Sequence, residues 1–231
     1  MDPTKLDRTD AKFPQTVWPI SGNVEEICQL YWPPIYAFLR YDGHSPEDAK
    51  DLTQGFFAHM LRKDRLYRAN PEKRFRTFLL QCLKNYLRNK WDQENAEKRG
   101  GGSILVSIDT EEGERLMETL VSDCVSPEEA FDREWARTVL KNVLDRLKEK
   151  YASGGKSDRF EAFFPFLADE AERGDYAKVA AKLGISEGAA RKAAHDLRKD
   201  FKNVRREEIG RTAPAEIDEE MRYLSQISRK S

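Results

Sequence analysis

The sequence predicts an all-α fold: two helical domains joined by an acidic flexible linker, the second containing a helix-turn-helix. Three observations predict it. Ser45-Pro46-Glu47-Asp48 and Ser126-Pro127-Glu128-Glu129 each set an N-cap, a proline at the first helical position and acids in the first turn, so the grammar of a helix start appears twice. Apolar residues recur after each start at three- and four-residue spacing. Between the two, Gly100-Gly101-Gly102 breaks the pattern, and the chain stays polar and acidic to Asp123 apart from the short apolar run Ile104 to Ile108. The divisions expected are an N-terminal arm at 1–22, a first domain at 23–99, the linker at 100–125, a second domain at 126–212 and an acidic C-terminal extension at 213–231.

In chain order, the arm holds Pro3, Pro14 and Pro19 among charges and reads as loosely ordered. Asn23 with Glu26 resembles a capping box for a helix that reaches Trp32, is reset by Pro33-Pro34 and resumes through Ile35, Phe38 and Leu39. After the Asp42-Gly43 turn, the helix begun at Ser45 buries Ala49, Leu52, Phe56, Phe57, Met60 and Leu61. It leaves Glu47, Asp48, Asp51, Gln54 and Ala58 outside, an acidic grouping that composition alone allows to be a solvated face; a catalytic carboxylate pair or magnesium site is disfavoured, because nothing nearby supplies a nucleophile or a phosphate-cradling loop. A long helix starts near Lys73 and packs Phe75, Phe78, Leu79, Cys82, Leu83 and Tyr86. Its other side mixes Arg74, Arg76, Lys84, Arg88 and Lys90 with Thr77, Asn85 and Asn89 near Trp91, a composition suited to phosphates and unstacked bases. In the second domain Phe131, Trp135, Val139, Val143 and Leu147 carry one stripe to about Tyr151, and a Phe-rich block kinked by Pro165 follows.

The segment Asp175 to Phe201 carries the most function. Tyr176, Val179, Ala180 and Leu183 form the stripe of a short helix capped by Asp175; Gly184 stops it, Ile185 fills the turn, and Ser186 caps a second helix with Glu187 in its first turn. That helix is apolar inside through Ala190, Ala193, Ala194, Leu197 and Phe201. Outside it is cationic, with Arg191, Lys192, His195, Arg198 and Lys199, continuing to Arg205 and Arg206. The combination predicts a helix-turn-helix whose second helix lies in a major groove. A surface hairpin with solvated lysines is the plainer alternative, and the turn chemistry weighs against it. The C-terminal helix, expected from Pro214 to Ser228, carries Glu216, Asp218, Glu219 and Glu220, which would either compete with DNA for the cationic helix or simply pack.

With 231 residues, 39% of them apolar, the chain can bury substantial cores, and its net charge of −1 conceals segregated basic and acidic stretches. Cys28, Cys82 and Cys124 are odd in number and far apart, against a disulfide framework or a zinc site, and no cofactor is expected. No membrane span or signal peptide is legible, so a soluble cytoplasmic protein with no membrane partner is expected. An enzyme is the least favoured class, because His44, His59 and His195 are scattered and no nucleophile pairs with a base by spacing.

These features together resemble the extracytoplasmic-function (ECF) sigma factors of bacterial RNA polymerase over roughly Val24 to Arg206. The wording Tyr-Trp-Pro-Pro, the triple glycine and the acidic C-terminal extension are similar to a planctomycete-type group. Ser45 to Phe57 resembles the family's acidic Asp-Leu-x-Gln-x-x-Phe segment, which implies that Asp48, Asp51 and Gln54 bind core RNA polymerase. Phe75-Arg76-Thr77-Phe78-Leu79 with Lys84-Asn85 is similar to the family's promoter-melting helix. It implies that Arg74, Arg76, Thr77, Lys84, Asn85, Arg88 and Asn89 grip the minus-ten element and the melted non-template strand. The helix-turn-helix resembles the minus-thirty-five reader of double-stranded promoter DNA and implies roles for Ser186, Glu187, Arg191, Lys192, His195, Arg198 and Lys199. The chain departs from the family at Asn89, commonly aspartate, at Asp92, commonly arginine, and in lacking the usual Leu-Pro start of the second domain. The resemblance leaves open whether an anti-sigma regulator or the C-terminal extension holds such a factor inactive. Two rivals also stay open: a helix-turn-helix regulator that never binds polymerase, and a helical protein–protein adaptor.

Overall fold

The computed structural model describes residues 24–62, 74–97, 124–167, 172, 174–211 and 217–227. The N-terminal arm, the glycine-rich stretch with nearly all of the acidic linker, and Pro214 with Glu216 lie outside the described residues. Among those described there are eight α-helices and no strand: α1 (Val24–Tyr41), α2 (Pro46–Arg62), α3 (Phe75–Glu97), α4 (Pro127–Ser153), α5 (Ser157–Phe163), α6 (Asp175–Leu183), α7 (Glu187–Gly210) and α8 (Ile217–Ile227). A 3-10 turn at Phe164–Leu167 contains Pro165 and follows α5 directly.

Helix α1 is one continuous helix, contrary to the expected reset at Pro33-Pro34. Proline removes N–H donors from the ladder but holds φ near helical values, so tertiary packing on both sides of Pro33 and Pro34 can carry the helix through them. That packing is extensive: Ile27, Leu30, Tyr31, Ile35, Phe38 and Leu39 are all buried. One side of α1 meets α2, and the Tyr31 ring sits edge-on to Phe75 of α3 at 5.1 Å. Another side packs along α4.

Helix α4 behaves as its stripe predicts, with Phe131, Trp135, Val139, Val143 and Leu147 each at most 1% exposed. Its cap is also as read: Ser126 is extended and its side chain accepts a hydrogen bond from the Glu129 amide. The apolar residues of α1–α3 and α4–α8 join in one continuous hydrophobic core, so both halves of the chain meet across α1 and α4.

The α6–α7 turn follows its chemistry. Gly184 adopts φ +65°, the left-handed conformation that favours glycine, and the Ile185 amide reaches back to the Ala180 carbonyl at 3.0 Å. Ser186 then caps α7, its side chain accepting from the Ala189 amide. Asp175 is the first helical residue and not the cap. Gly174, at φ +95°, precedes it, and the Asp175 carboxylate accepts from the Glu172 amide instead. The lysine at 178 and that amide hold the Asp175 carboxyl below its ordinary pKa.

Candidate functional site

Three faces carry the residues singled out from the sequence. On α2 the Ser45 side chain accepts from the Asp48 amide at 3.1 Å and donates to the Asp48 carboxylate at 2.7 Å, which fixes the start of the helix. Leu52, Phe56, Phe57 and Met60 anchor α2 to the core, and Thr53 is buried by donating to the Ala49 carbonyl. Asp48, Asp51 and Gln54 are left on the outer side and line one groove together with Arg88, Lys90 and Trp91 of α3. Trp91 is 66% exposed, an indole presented at the edge of a groove bearing both signs of charge. The groove is narrow at Gly55, where any Cβ would come within 2.5 Å of the Tyr86 hydroxyl.

The α3 face splits into two parts. Thr77, Gln81, Asn85 and Arg88, at spacings of four, four and three, form an exposed polar ridge, and Asn89 is exposed beside it. Gln81 and Arg88 both donate to the Asn85 side-chain oxygen at 3.4 Å, so the amide at the centre of the ridge is oriented by its neighbours. The basic members of the N-terminal part depart from expectation. Arg76 is buried, donating to Glu220 at 3.0 Å and to Asp132 at 2.5 Å. Its guanidinium also lies 4.1 Å from the Tyr223 ring centre and 5.3 Å from that of Trp135. Burial alone would lower the Arg76 pKa; the Asp132 and Glu220 carboxylates outweigh it and raise the value. Arg74 is paired with Glu219 at 2.6 Å and with Glu220 at 3.0 Å. Lys84 meets Glu128 at 2.5 Å, a contact that lowers the Glu128 pKa.

On α7, Lys192, His195 and Lys199 are exposed. Arg191 pairs with Glu187 one turn earlier at 2.6 Å and stacks over the Tyr176 ring at 5.0 Å, which holds its guanidinium at the N-terminal end of the helix. Ser186 is committed to the cap. Arg198 departs from the cationic face: it is half-buried and donates to the Phe166 carbonyl at 2.9 Å, tying α7 to the 3-10 turn. Arg205 turns back over the Phe201 ring at 5.6 Å, and burial lowers its pKa. The double substitution Arg191→Ala, Lys192→Ala is expected to cut duplex binding by the full chain about tenfold or more, with a salt dependence shallower by about two counterions. Fluorescence anisotropy over a salt series checks this, and an unchanged affinity removes α7 as the duplex-binding element.

The acids that meet the α3 arginines escaped the sequence reading. Asp132 looks like any polar residue of an amphipathic helix. Of the two expectations for the α8 acids, lying against the α7 cations or packing, only Asp218 meets the first, pairing with Arg206 of α7, whereas Glu219 and Glu220 turn to α3. Tyr223 donates to Asp132 at 2.5 Å, and burial with that contact pushes its pKa up to about 12. The helical spacing of Ile217, Met221 and Leu224 beside a run of acids is the available signal. It gives a helix with one buried edge but not the partner of its acids.

No group of histidine, cysteine and acidic side chains suited to a metal ion occurs among the described residues, nor is any described helix long and apolar enough to cross a membrane. Residues 28–97 match the family model of sigma-70 region 2, a span that contains the α2 acidic face and the whole of α3. No curated protein and no solved structure matches the chain. Sigma factors bind core RNA polymerase and promoter DNA. Residues 28–97 thus form a sigma-70 region 2 domain, a domain of the sigma factors of transcription initiation.

Proposed function

We propose that the chain is an ECF-type sigma factor of the planctomycete-type group, acting in the cytoplasm. Its α2 face docks on core polymerase, its α3 ridge reads and holds the melted minus-ten strand, and its α6–α7 unit reads the minus-thirty-five duplex as a helix-turn-helix. The observation that carries this reading is the α2–α3 groove. Asp48, Asp51 and Gln54 stand there beside Arg88, Lys90 and the exposed Trp91, so a protein-docking surface adjoins a nucleic-acid surface on one pair of helices. A regulator that only binds duplex DNA has no use for that adjacency.

The polar ridge suits single-stranded recognition because amides can read unstacked base edges while Arg88 and Lys90 meet phosphates. The α7 end suits duplex recognition because Glu187, Arg191 and Lys192 lie in its first turns, where a recognition helix approaches base edges. A separate anti-sigma protein is not required to occupy Arg74 and Arg76, since acids of the chain itself already do so. Gel filtration of the full chain with bacterial core polymerase tests the proposal: co-elution as a stoichiometric complex is expected, and separate elution at micromolar concentration defeats it.

A further inference from the structure

We propose that α8 is an internal latch. By occupying Arg74 and Arg76 at the start of α3, it keeps both guanidinium groups from nucleic acid until a competing anion displaces its acids. The inference rests on the reading of α3 as the minus-ten helix. Its own foundation is the set of contacts around Arg76.

Two helices converge on that guanidinium. Glu220 of α8, 1% exposed at its side chain, accepts from the Arg76 Nε at 3.0 Å and from the Arg74 Nε at 3.0 Å. Asp132 of α4 accepts from the other edge of Arg76 and is itself held by the Tyr223 hydroxyl of α8. Glu219 takes the remaining edge of Arg74. Met221 and Leu224 seat the apolar side of α8 in the shared core, and the Arg206–Asp218 pair fixes its beginning to α7. One short helix therefore joins the N-terminal end of α3 to α4 and to the far end of α7. Two smaller straps lie alongside: Lys84–Glu128 at 2.5 Å and Arg211–Glu26 at 3.2 Å.

The latch is built to release. Its acids meet the two arginines as carboxylates and phosphate oxygens alike would, so a nucleic-acid backbone offers Arg74 and Arg76 an equivalent partner. The Trp135 indole N–H, buried beneath Arg76, finds no acceptor among the described residues, a penalty of the closed form.

The test uses the full chain without polymerase. Glu219→Gln with Glu220→Gln removes the two latch charges, and Asp158→Asn with Glu161→Gln, exposed acids of α5, makes the same charge change elsewhere. Anisotropy with a random-sequence single-stranded 30-mer is expected to show about tenfold tighter binding for the latch variant, beyond any change in the α5 control. If the latch variant binds no better than the control, the proposal is overturned. Should the double variant lose helical circular dichroism, Glu219→Lys alone, at a carboxylate 53% exposed, takes its place; about threefold tighter binding supports the latch and no change overturns it. Core-polymerase association is measured on the same samples. Tighter single-strand binding without association keeps the latch and defeats the sigma reading, whereas association without tighter binding does the reverse.

Discussion

Asp51→Ala with Gln54→Ala is expected to abolish association with core polymerase and transcription from a cognate promoter while leaving the thermal melt close to wild type. The two residues are three apart on α2 and share its outer face, while Leu52, Phe56 and Met60 hold the helix to the core without them. A carboxylate beside an amide can accept from and donate to a basic, polar partner helix. Losing a charged contact of that kind at an interface costs about 2 kcal/mol or more, a factor of thirty or so in affinity. Neither side chain anchors the fold, so surface substitution there should shift stability by about 0.5 kcal/mol at most. Gel filtration with core polymerase and a circular-dichroism melt, run on the same preparation, check both halves. Wild-type association by the doubly substituted chain would make this face plain solvated surface.

Trp135→Ala is expected to destabilise the whole chain by about 3 to 5 kcal/mol, because it empties the site of a fully buried indole at the junction of its two halves. For a chain of this size the thermal midpoint should fall by roughly 10 °C or more. Relief of the unpaired indole N–H offsets a small part of this. The substitution also removes the ring beneath Arg76, so the cooperative unit that fails should include both α1–α3 and α4–α8. Two separate transitions, only one of them shifted, would mean that the halves do not share a core in solution. A scanning calorimetry trace distinguishes the cases.

The helices were legible from sequence wherever local chemistry decides them. Ser126-Pro127 capped α4, Gly184 and Ser186 set the α6–α7 turn, and the four-residue rhythm from Phe131 to Leu147 named a buried stripe. Pro33-Pro34 suggests a break from the lost N–H donors alone, whereas the packing of α2, α3 and α4 around α1, which carries the helix through, has no local signature. The candidate site was legible to the same depth. Glu47 and Asp48 of α2 and the Thr77–Asn85 ridge are exposed where periodicity puts them, and Asp51 is partly exposed on the same side. Arg76 and Arg198 are not, since a cation at an outward helical position is as readily recruited by a neighbouring element. Asp132 and Glu220 took the first, and the Phe166 carbonyl took the second. Such long-range pairing spans 32 residues of chain or more and leaves no mark on local spacing.

Transcription by purified core polymerase supplied with the full chain measures the central claim most directly, using a library of genomic fragments as template and mapping transcript starts. Discrete start sites whose upstream sequences share a minus-ten and a minus-thirty-five element, absent without the chain and lost with Asp51→Ala, Gln54→Ala, are the result predicted. Starts that are the same with and without the chain, under conditions where another sigma factor programs the same core, would contradict it.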